Sequence, residues 1–222
     1  MARGDYLVFL DADDELTDHA LGNLIEHITQ NPQTRLVVGG HVSVHPDGRI
    51  VEYLPDTLPS TGFERLLAYL LEKKLRVCNG ACAMHREVFA VGRYPEQFRN
   101  AEDIPVFAQV LAGYPCTLVG VLLARIHKHG DSLRHNLSYD REVGDRLVAE
   151  IFDSGRLPVH MQVLRRQFAA QRYLSLFRTF AAAGESQVAK TYYRQAIKTD
   201  WRAILRGSYT RKAIKLWLEF KK

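Results

Sequence analysis

The sequence predicts an α/β body over residues 1–136 followed by an all-helical extension over residues 137–222. Three observations carry this reading. An apolar run, Tyr6-Leu7-Val8-Phe9-Leu10, leads straight into the carboxylates Asp11, Asp13 and Asp14, as a buried strand does when it ends at the lip of a sheet. From there to Ile126, β-branched apolar runs alternate with segments whose apolar residues recur at helical spacing. Beyond His135 only helical periodicity is left, over residues 139–152, 158–183, 186–199 and 208–220.

The elements follow in order. Asp5 to Leu10 reads as a strand. Thr17 or Asp18 then caps a helix that carries Ala20, Leu21, Leu24, Ile25 and Ile28 on one face, and Asn31-Pro32 ends it. A second strand runs from Leu36 through Val44. His45 to Arg49 makes a turn, and Ile50 to Leu54 returns as its partner. Thr61-Gly62-Phe63-Glu64 is a capping box for a helix with Phe63, Leu66, Leu67, Leu70 and Leu71 inward. Cys78 to His85 is extended and residues 93–100 form a polar loop. Glu102-Asp103 opens a helix that stops near Gly113, and Thr117 to Ile126 is the last strand of the body.

Composition narrows the function classes. Hydrophobic residues at 46% and charged residues at 25% are ordinary for a folded protein. No apolar run approaches the roughly 18–20 residues that span a bilayer, and the N-terminus lacks the pattern of a secretory signal. The three cysteines, Cys78, Cys82 and Cys116, fit a reducing compartment, so the expected location is cytoplasmic. Cys78-Asn79-Gly80-Ala81-Cys82 has neither zinc nor redox spacing and reads as structural thiols. The net charge of +5 is concentrated in the tail. From Trp201 to Lys222 seven basic residues accompany one acid, Glu219, which leaves −1 for residues 1–200. A nucleic-acid binder would spread that charge over its body, so no nucleic-acid partner is expected.

In an extended chain Asp11 and Asp13 project to the same side, and paired hard oxygens suit Mg²⁺ or Mn²⁺. The same acids also serve as a turn at a helix start, where the dipole favours negative charge. Glu102-Asp103 is open to the same two readings. His127 and His129, two apart on a strand, are expected on opposite faces, with His129 the better candidate ligand or donor. His41, His45 and His85 show no partner in the sequence and are read as structural. Arg86 reads as a solvated residue at a helix start.

Ala2 to Leu16, containing the D-A-D-D run, resembles the strand and D-x-D-D segment of family 2 glycosyltransferases. Gly92-Arg93-Tyr94-Pro95-Glu96 followed by Asn100-Ala101-Glu102-Asp103-Ile104 is similar to that family's acceptor loop and Glu-Asp pair. Ile126 to Ser132, with His127 where an Arg is more usual, is similar to its closing Arg-x-His-x-x-Ser stretch. The resemblance implies a partial GT-A fold, with a mixed sheet in residues 1–136 and a helical extension with a basic amphipathic end in residues 137–222. It implies transfer of a sugar from a nucleotide-sugar donor to a glycan or lipid-linked acceptor hydroxyl with inversion, in cell-surface polysaccharide or glycoconjugate synthesis. Asp11 and Asp13 would hold the Mg²⁺ or Mn²⁺, Asp103 would be the catalytic base, and Glu102, His129 and Asp14 would bind substrate. Only about ten residues precede Asp11, whereas one βαβ unit needs roughly 30. The nucleotide-binding half of such a domain is therefore expected to be missing, and the exposed flank offers a surface for self-association.

Two other readings stand beside this one. The chain could be a non-catalytic remnant or binding module. Phe9-Leu10-Asp11-Ala12-Asp13 with Gly130-Asp131-Ser132 also looks like a haloacid-dehalogenase-type phosphatase, although Asp14-Glu15 replaces the expected Gly-Thr. The tail over residues 201–222 is open to two dispositions. Its stripe Ala213, Leu216, Trp217 and Phe220 either packs on the body or makes peripheral contact with an anionic membrane at its inner face.

Overall fold

The centre of the structure is one strand, β3 (Leu36–Val44), whose sequence LVVGGHVSV is almost unbroken in apolar and small residues. Such a run belongs where both faces of a sheet are covered. The structure, a computed structural model, describes residues 2–129 and 137–218. Around β3 a six-stranded sheet takes the order β1-β5-β3-β6-β2, with β4 also pairing β3. β1 is Tyr6–Leu7, β2 Glu15–Leu16, β4 Ile50–Tyr53, β5 Cys82–His85 and β6 Cys116–His127. Among the described residues only the β3–β6 pair is parallel, so the sheet is mixed. The parallel register shifts around Gly39 and Gly40. A Cβ at Gly39 would lie 2.4 Å from Leu123 Cδ1, and one at Gly40 would lie 2.6 Å from the Tyr53 carbonyl oxygen. The two glycines let β6 and β4 close on the same strand.

The expected strand Asp5–Leu10 keeps its alternation but not its ladder. Only Tyr6 and Leu7 pair, with His85 and Met84. Tyr6 and Val8 pack on one side of the sheet, with Val37 and Leu123. Phe9 packs on the other, with Phe89 and Tyr94 at ring-centroid distances of 5.7 and 5.0 Å. Helix α1 (Ala20–Gln30) begins later than expected. Its N-cap is His19 at φ +63°, with no side-chain cap. Thr17 is taken up elsewhere: its hydroxyl donates to the Leu122 carbonyl at 2.6 Å and its N–H to Leu123 at 2.9 Å. That anchorage on β6 turns Ala20, Leu24 and Ile28 to the sheet and leaves Leu21 and Ile25, expected inward, exposed.

Helix α2 (Gly62–Leu67) starts with the expected capping box, Thr61 and Glu64 bonding reciprocally, and it continues as a π-helical turn, Ala68–Glu72. Helix α3 (Asp103–Gly113) packs against it and sets Phe107 and Leu111 in the core with Leu36 and Met84 of the sheet. The buried Arg65 guanidinium donates to the Leu111 carbonyl at 2.9 Å and the Tyr114 carbonyl at 3.0 Å, filling acceptors that the end of α3 leaves open. Gly62 lets the two helices approach closely: a Cβ there would lie 2.1 Å from the Ala112 carbonyl oxygen.

The chain divides into two compact units, residues 97–101 belonging with the later helices and residues 155–158 with the sheet. The second unit is all-helical among its described residues. The helix expected over 139–152 is two, α4 (Leu137–Val143) and α5 (Arg146–Phe152), broken where Gly144 takes φ +41°. The next opens as a 3₁₀ segment, Val159–Leu164, and becomes α6 (Arg165–Ala182). Then come α7 (Ser186–Thr199), a 3₁₀ turn Trp201–Leu205, and α8 (Gly207–Leu218). Phe177, Phe180, Tyr193 and Ala213 centre this second core, and Leu216 and Trp217 pack onto it. Phe220 lies outside the described residues.

Replacing Gly62 by Ala tests the α2–α3 contact. Alanine is the better helix former, yet here its methyl meets backbone. Gly62→Ala is expected to lower unfolding free energy by about 1–3 kcal/mol in urea denaturation, and an unchanged or raised midpoint would contradict the close packing.

Candidate functional site

The acidic turn is stapled to the far end of β6. Asp14 N–H donates to the Asp11 carbonyl at 3.1 Å, closing the turn. Glu15 and Leu16 then pair with Arg125 and Ala124, and Asp14 Oδ1 accepts from the His127 N–H at 2.8 Å. Asp14 is half-buried while Asp11 and Asp13 are exposed. Burial raises the Asp14 pKa, the His127 N–H opposes this, Asp13 and Asp11 raise it further, and Lys128 lowers it. One oxygen from each of Asp11, Asp13 and Asp14 lies within 4.8 Å of the others.

The histidines differ from expectation. β6 ends at His127, so strand alternation no longer governs His129. The two rings lie side by side, 6.5 Å apart and 19° from parallel. His129 Nε2 is 3.3 Å from Asp13 Oδ2. His127 Nε2 is 3.5 Å from Glu15 Oε1, yet it is buried and makes no hydrogen bond among the described residues. Three clustered carboxylates with a histidine against one of them offer hard oxygen donors of the kind that suit Mg²⁺ or Mn²⁺. Gly130, Asp131, Ser132 and His135 lie outside the described residues.

Asp103 opens α3 after Ala101, which takes φ +63°, and after Glu102. Its carboxyl is pushed up to about 6, first by burial and then by Glu102, while the N–H groups of Asp103 and Ile104 hold it down and Asp11 raises it. The Asp103 charge also raises Tyr69, Tyr94, Cys78 and Cys82.

Several residues of this neighbourhood carried no signal in the sequence. The Tyr94 hydroxyl donates to Asn79 Oδ1 at 2.7 Å. A Cβ at Gly80 would lie 3.2 Å from both Leu10 Cδ1 and Ile126 Cδ1, so this glycine lets the two strand ends meet. In the C-N-G-A-C run the middle residues shape the site, while burial pushes Cys78 up to about 11 and raises Cys82 as well. Beneath the Gly92-Arg93-Tyr94 turn lies a buried brace. Gln109 Nε2 donates to the Val88 and Gly92 carbonyls at 2.8 and 2.7 Å. Arg156 donates to Gln109 Oε1 at 2.6 Å and to the Arg93 carbonyl at 2.8 Å. Arg156 lies over Gly92, where a Cβ would come 2.1 Å from its Nη1. Only the glycine of Gly-Arg-Tyr-Pro hinted at this.

The histidines read as structural have partners after all. His41 stacks on Tyr53 at 4.9 Å, touches Cys78 Sγ at 3.6 Å through Nδ1, and is driven down to about 4 by burial, then by Lys128 and Arg76. His85 sits edge-on to Tyr6 at 5.1 Å and accepts from the Glu87 N–H at 3.3 Å. His45 Nδ1 is 3.5 Å from Arg49 Nη2. Arg86 is exposed, and its guanidinium donates to the Arg3 carbonyl at 3.3 Å.

The raised Asp103 pKa links to stability with a definite sign. Below the ordinary carboxylate range both folded and unfolded chains hold the proton. As pH rises to about 6 the unfolded chain releases it first, so the fold loses stability across that window. Asp103→Asn, which cannot ionise, is expected to gain on the native chain by up to about 3 kcal/mol between pH 4 and 7. Melting curves that run parallel over that range would remove the buried charge from the account.

Comparison with known proteins agrees with this architecture. Residues 1–92 match the family model for glycosyl transferase family 2. No curated protein matches the chain. Among solved structures, the chain is similar to S. aureus TarS 1-349 in complex with UDP-GlcNAc. The TM-score is 0.56 at 16% sequence identity, over 97% of this chain and 66% of that one. This chain thus spans just under two thirds of the TarS chain it matches, and the fold is α/β, a partial GT-A.

Proposed function

We propose, on the match of residues 1–92 to the family model for glycosyl transferase family 2, that the chain serves transfer of a sugar from a nucleotide-sugar to an acceptor hydroxyl, with inversion at the anomeric carbon. Asp11 and Asp13 are the residues to hold Mg²⁺ or Mn²⁺. When bound, such a cation supplies neutralisation of the charge that grows on the departing diphosphate. His129, whose Nε2 is 3.3 Å from Asp13 Oδ2, would donate to the same oxyanion. Asp103 takes the proton from the acceptor hydroxyl as its oxygen bonds to the anomeric carbon and the sugar–diphosphate bond breaks. Glu102 orients the acceptor, and Asp14 positions the turn through His127 rather than meeting substrate itself. The acceptor is a glycan or lipid-linked glycoconjugate of the cell surface, reached from the cytoplasmic side.

The observation that carries the reading is the cluster of Asp11, Asp13 and Asp14, one oxygen of each within 4.8 Å of the others, inside the segment that matches a transferase family. The phosphatase reading is disfavoured, because residues 1–92 match a transferase family and Asp14-Glu15 replaces the expected Gly-Thr. UDP-GlcNAc, the ligand of the neighbouring structure, is the first donor to try.

With Mn²⁺ and a donor that the chain turns over, kcat/KM is expected to fall below pH 6 as Asp103 takes up its proton. Asp103→Asn should cost roughly 10²–10⁴ in kcat and leave donor binding nearly unchanged. Asp13→Asn should instead weaken Mn²⁺-dependent donor binding, as read by calorimetry. Normal Mn²⁺ and donor binding without any transfer or donor hydrolysis would mark the chain as a binding module. Full turnover by Asp103→Asn would remove the base.

A further inference from the structure

The amphipathic stripe foreseen in the tail is consumed by packing. Ala213 is buried, and Leu216 and Trp217 lie on the second core, with the Lys190 and Arg194 cations each 5.5 Å from the Trp217 ring. A second set of residues is left facing outward. On α8 these are Arg211, Ile214, Lys215 and Leu218, at i, i+3, i+4 and i+7, one face of a helix. On the preceding 3₁₀ turn they are Trp201, Ile204 and Leu205. The apolar members are strongly exposed: Leu205 69%, Leu218 61%, Trp201 59%, Ile214 55% and Ile204 47%. The Thr210 hydroxyl donates to the Ile204 carbonyl at 2.6 Å, tying the turn to the helix.

Charge accompanies this apolar display. From Trp201 to Leu218 the chain has Arg202, Arg206, Arg211, Lys212 and Lys215 and no acid. An ordinary solvated face mixes both signs and hides large aliphatic side chains. Here the aliphatics and a Trp stand out among cations, so the complement must be apolar just below an anionic surface. No helix among the described residues is long and apolar enough to cross a membrane, and α8, with twelve residues, is suited to lie along one.

We propose that the outward face of α8 and the Trp201–Leu205 turn binds the surface of an anionic lipid bilayer. The aliphatics and Trp201 enter the headgroup boundary, and the flanking Arg and Lys stay at the lipid phosphates. The inference does not depend on the catalytic reading, because every residue it uses lies in the second unit.

The test uses the full chain and vesicles of phosphatidylcholine, alone or with about one third phosphatidylglycerol. The chain is expected to sediment with the anionic vesicles only and to come off as salt shortens the reach of the charges. In Trp217→Phe, Trp201 is the sole tryptophan, and its emission should move to the blue on binding. Arg211→Glu with Lys215→Glu should weaken binding by about tenfold or more. Leu205→Asp with Leu218→Asp should abolish it; all four positions are exposed, and circular dichroism checks that the helices remain. Failure of the native chain to sediment at low salt would overturn the proposal. So would a charge-reversed variant that loses binding while the aspartate variant keeps it, which would describe a surface for soluble polyanions. A dimer in light scattering that dissolves in Leu218→Asp, with lipid binding unchanged, would assign the face to a second copy of the chain.

Discussion

The bond from the His127 N–H to Asp14 joins residues 113 apart in sequence, and the arrangement of the site depends on it. Three neighbouring carboxylates repel one another, and an unsupported turn would splay them into solvent. Here Asp14 is tied down as a hydrogen-bond acceptor, Glu15 and Leu16 are paired to β6, and Thr17 is bonded to Leu122 and Leu123. Asp11 and Asp13 are thus held on the exposed side of a fixed turn. The same anchorage delivers the end of β6, so both imidazoles arrive beside the acids. One interaction between backbone and carboxylate gathers the negative charge and the histidines together, while the Thr17 bonds to β6 set which stripe of α1 faces the sheet.

Asp103 is half-buried, and burial makes its ionisation costly, with two backbone N–H groups at the start of α3 partly compensating. The result is a carboxyl poised near neutral pH, a useful state for a group that must take up a proton and later give it back. The loop facing it is not free to drift. Gln109 and Arg156 hold the Gly92-Arg93-Tyr94 turn by its carbonyls, and Asn79 holds the Tyr94 hydroxyl. These buried polar groups are satisfied by one another, so their contribution is to geometry as much as to stability.

The helical unit shows how one short segment divides two kinds of apolar surface. Trp217 and Ala213 complete a core with Phe177 and Tyr193, and cations from α7 cover the indole. Ile214 and Leu218, one residue further along the helix in each case, point the other way. Because a helix turns by about 100° per residue, neighbouring apolar residues serve opposite faces.

Much of this was legible in the sequence because it follows from local periodicity and capping. The nine residues of β3, the capping box at Thr61, the start of α3 at Asp103 and the bounds of α7 are short-range patterns that the chain enforces wherever it folds. The D-A-D-D and Glu-Asp motifs likewise stand out as clusters of charge after apolar runs. Tertiary structure decided what depends on partners far away in the chain. Anchorage to β6 displaced the cap of α1 and turned Leu21 and Ile25 outward. The end of β6 put His127 and His129 on one side. Packing with α7 selected which stripe of α8 is buried. Periodicity marks the faces an element has, but only the elements that arrive to cover them determine which face meets water, and the same placement sets the burial that moves Asp103 away from an ordinary carboxylate.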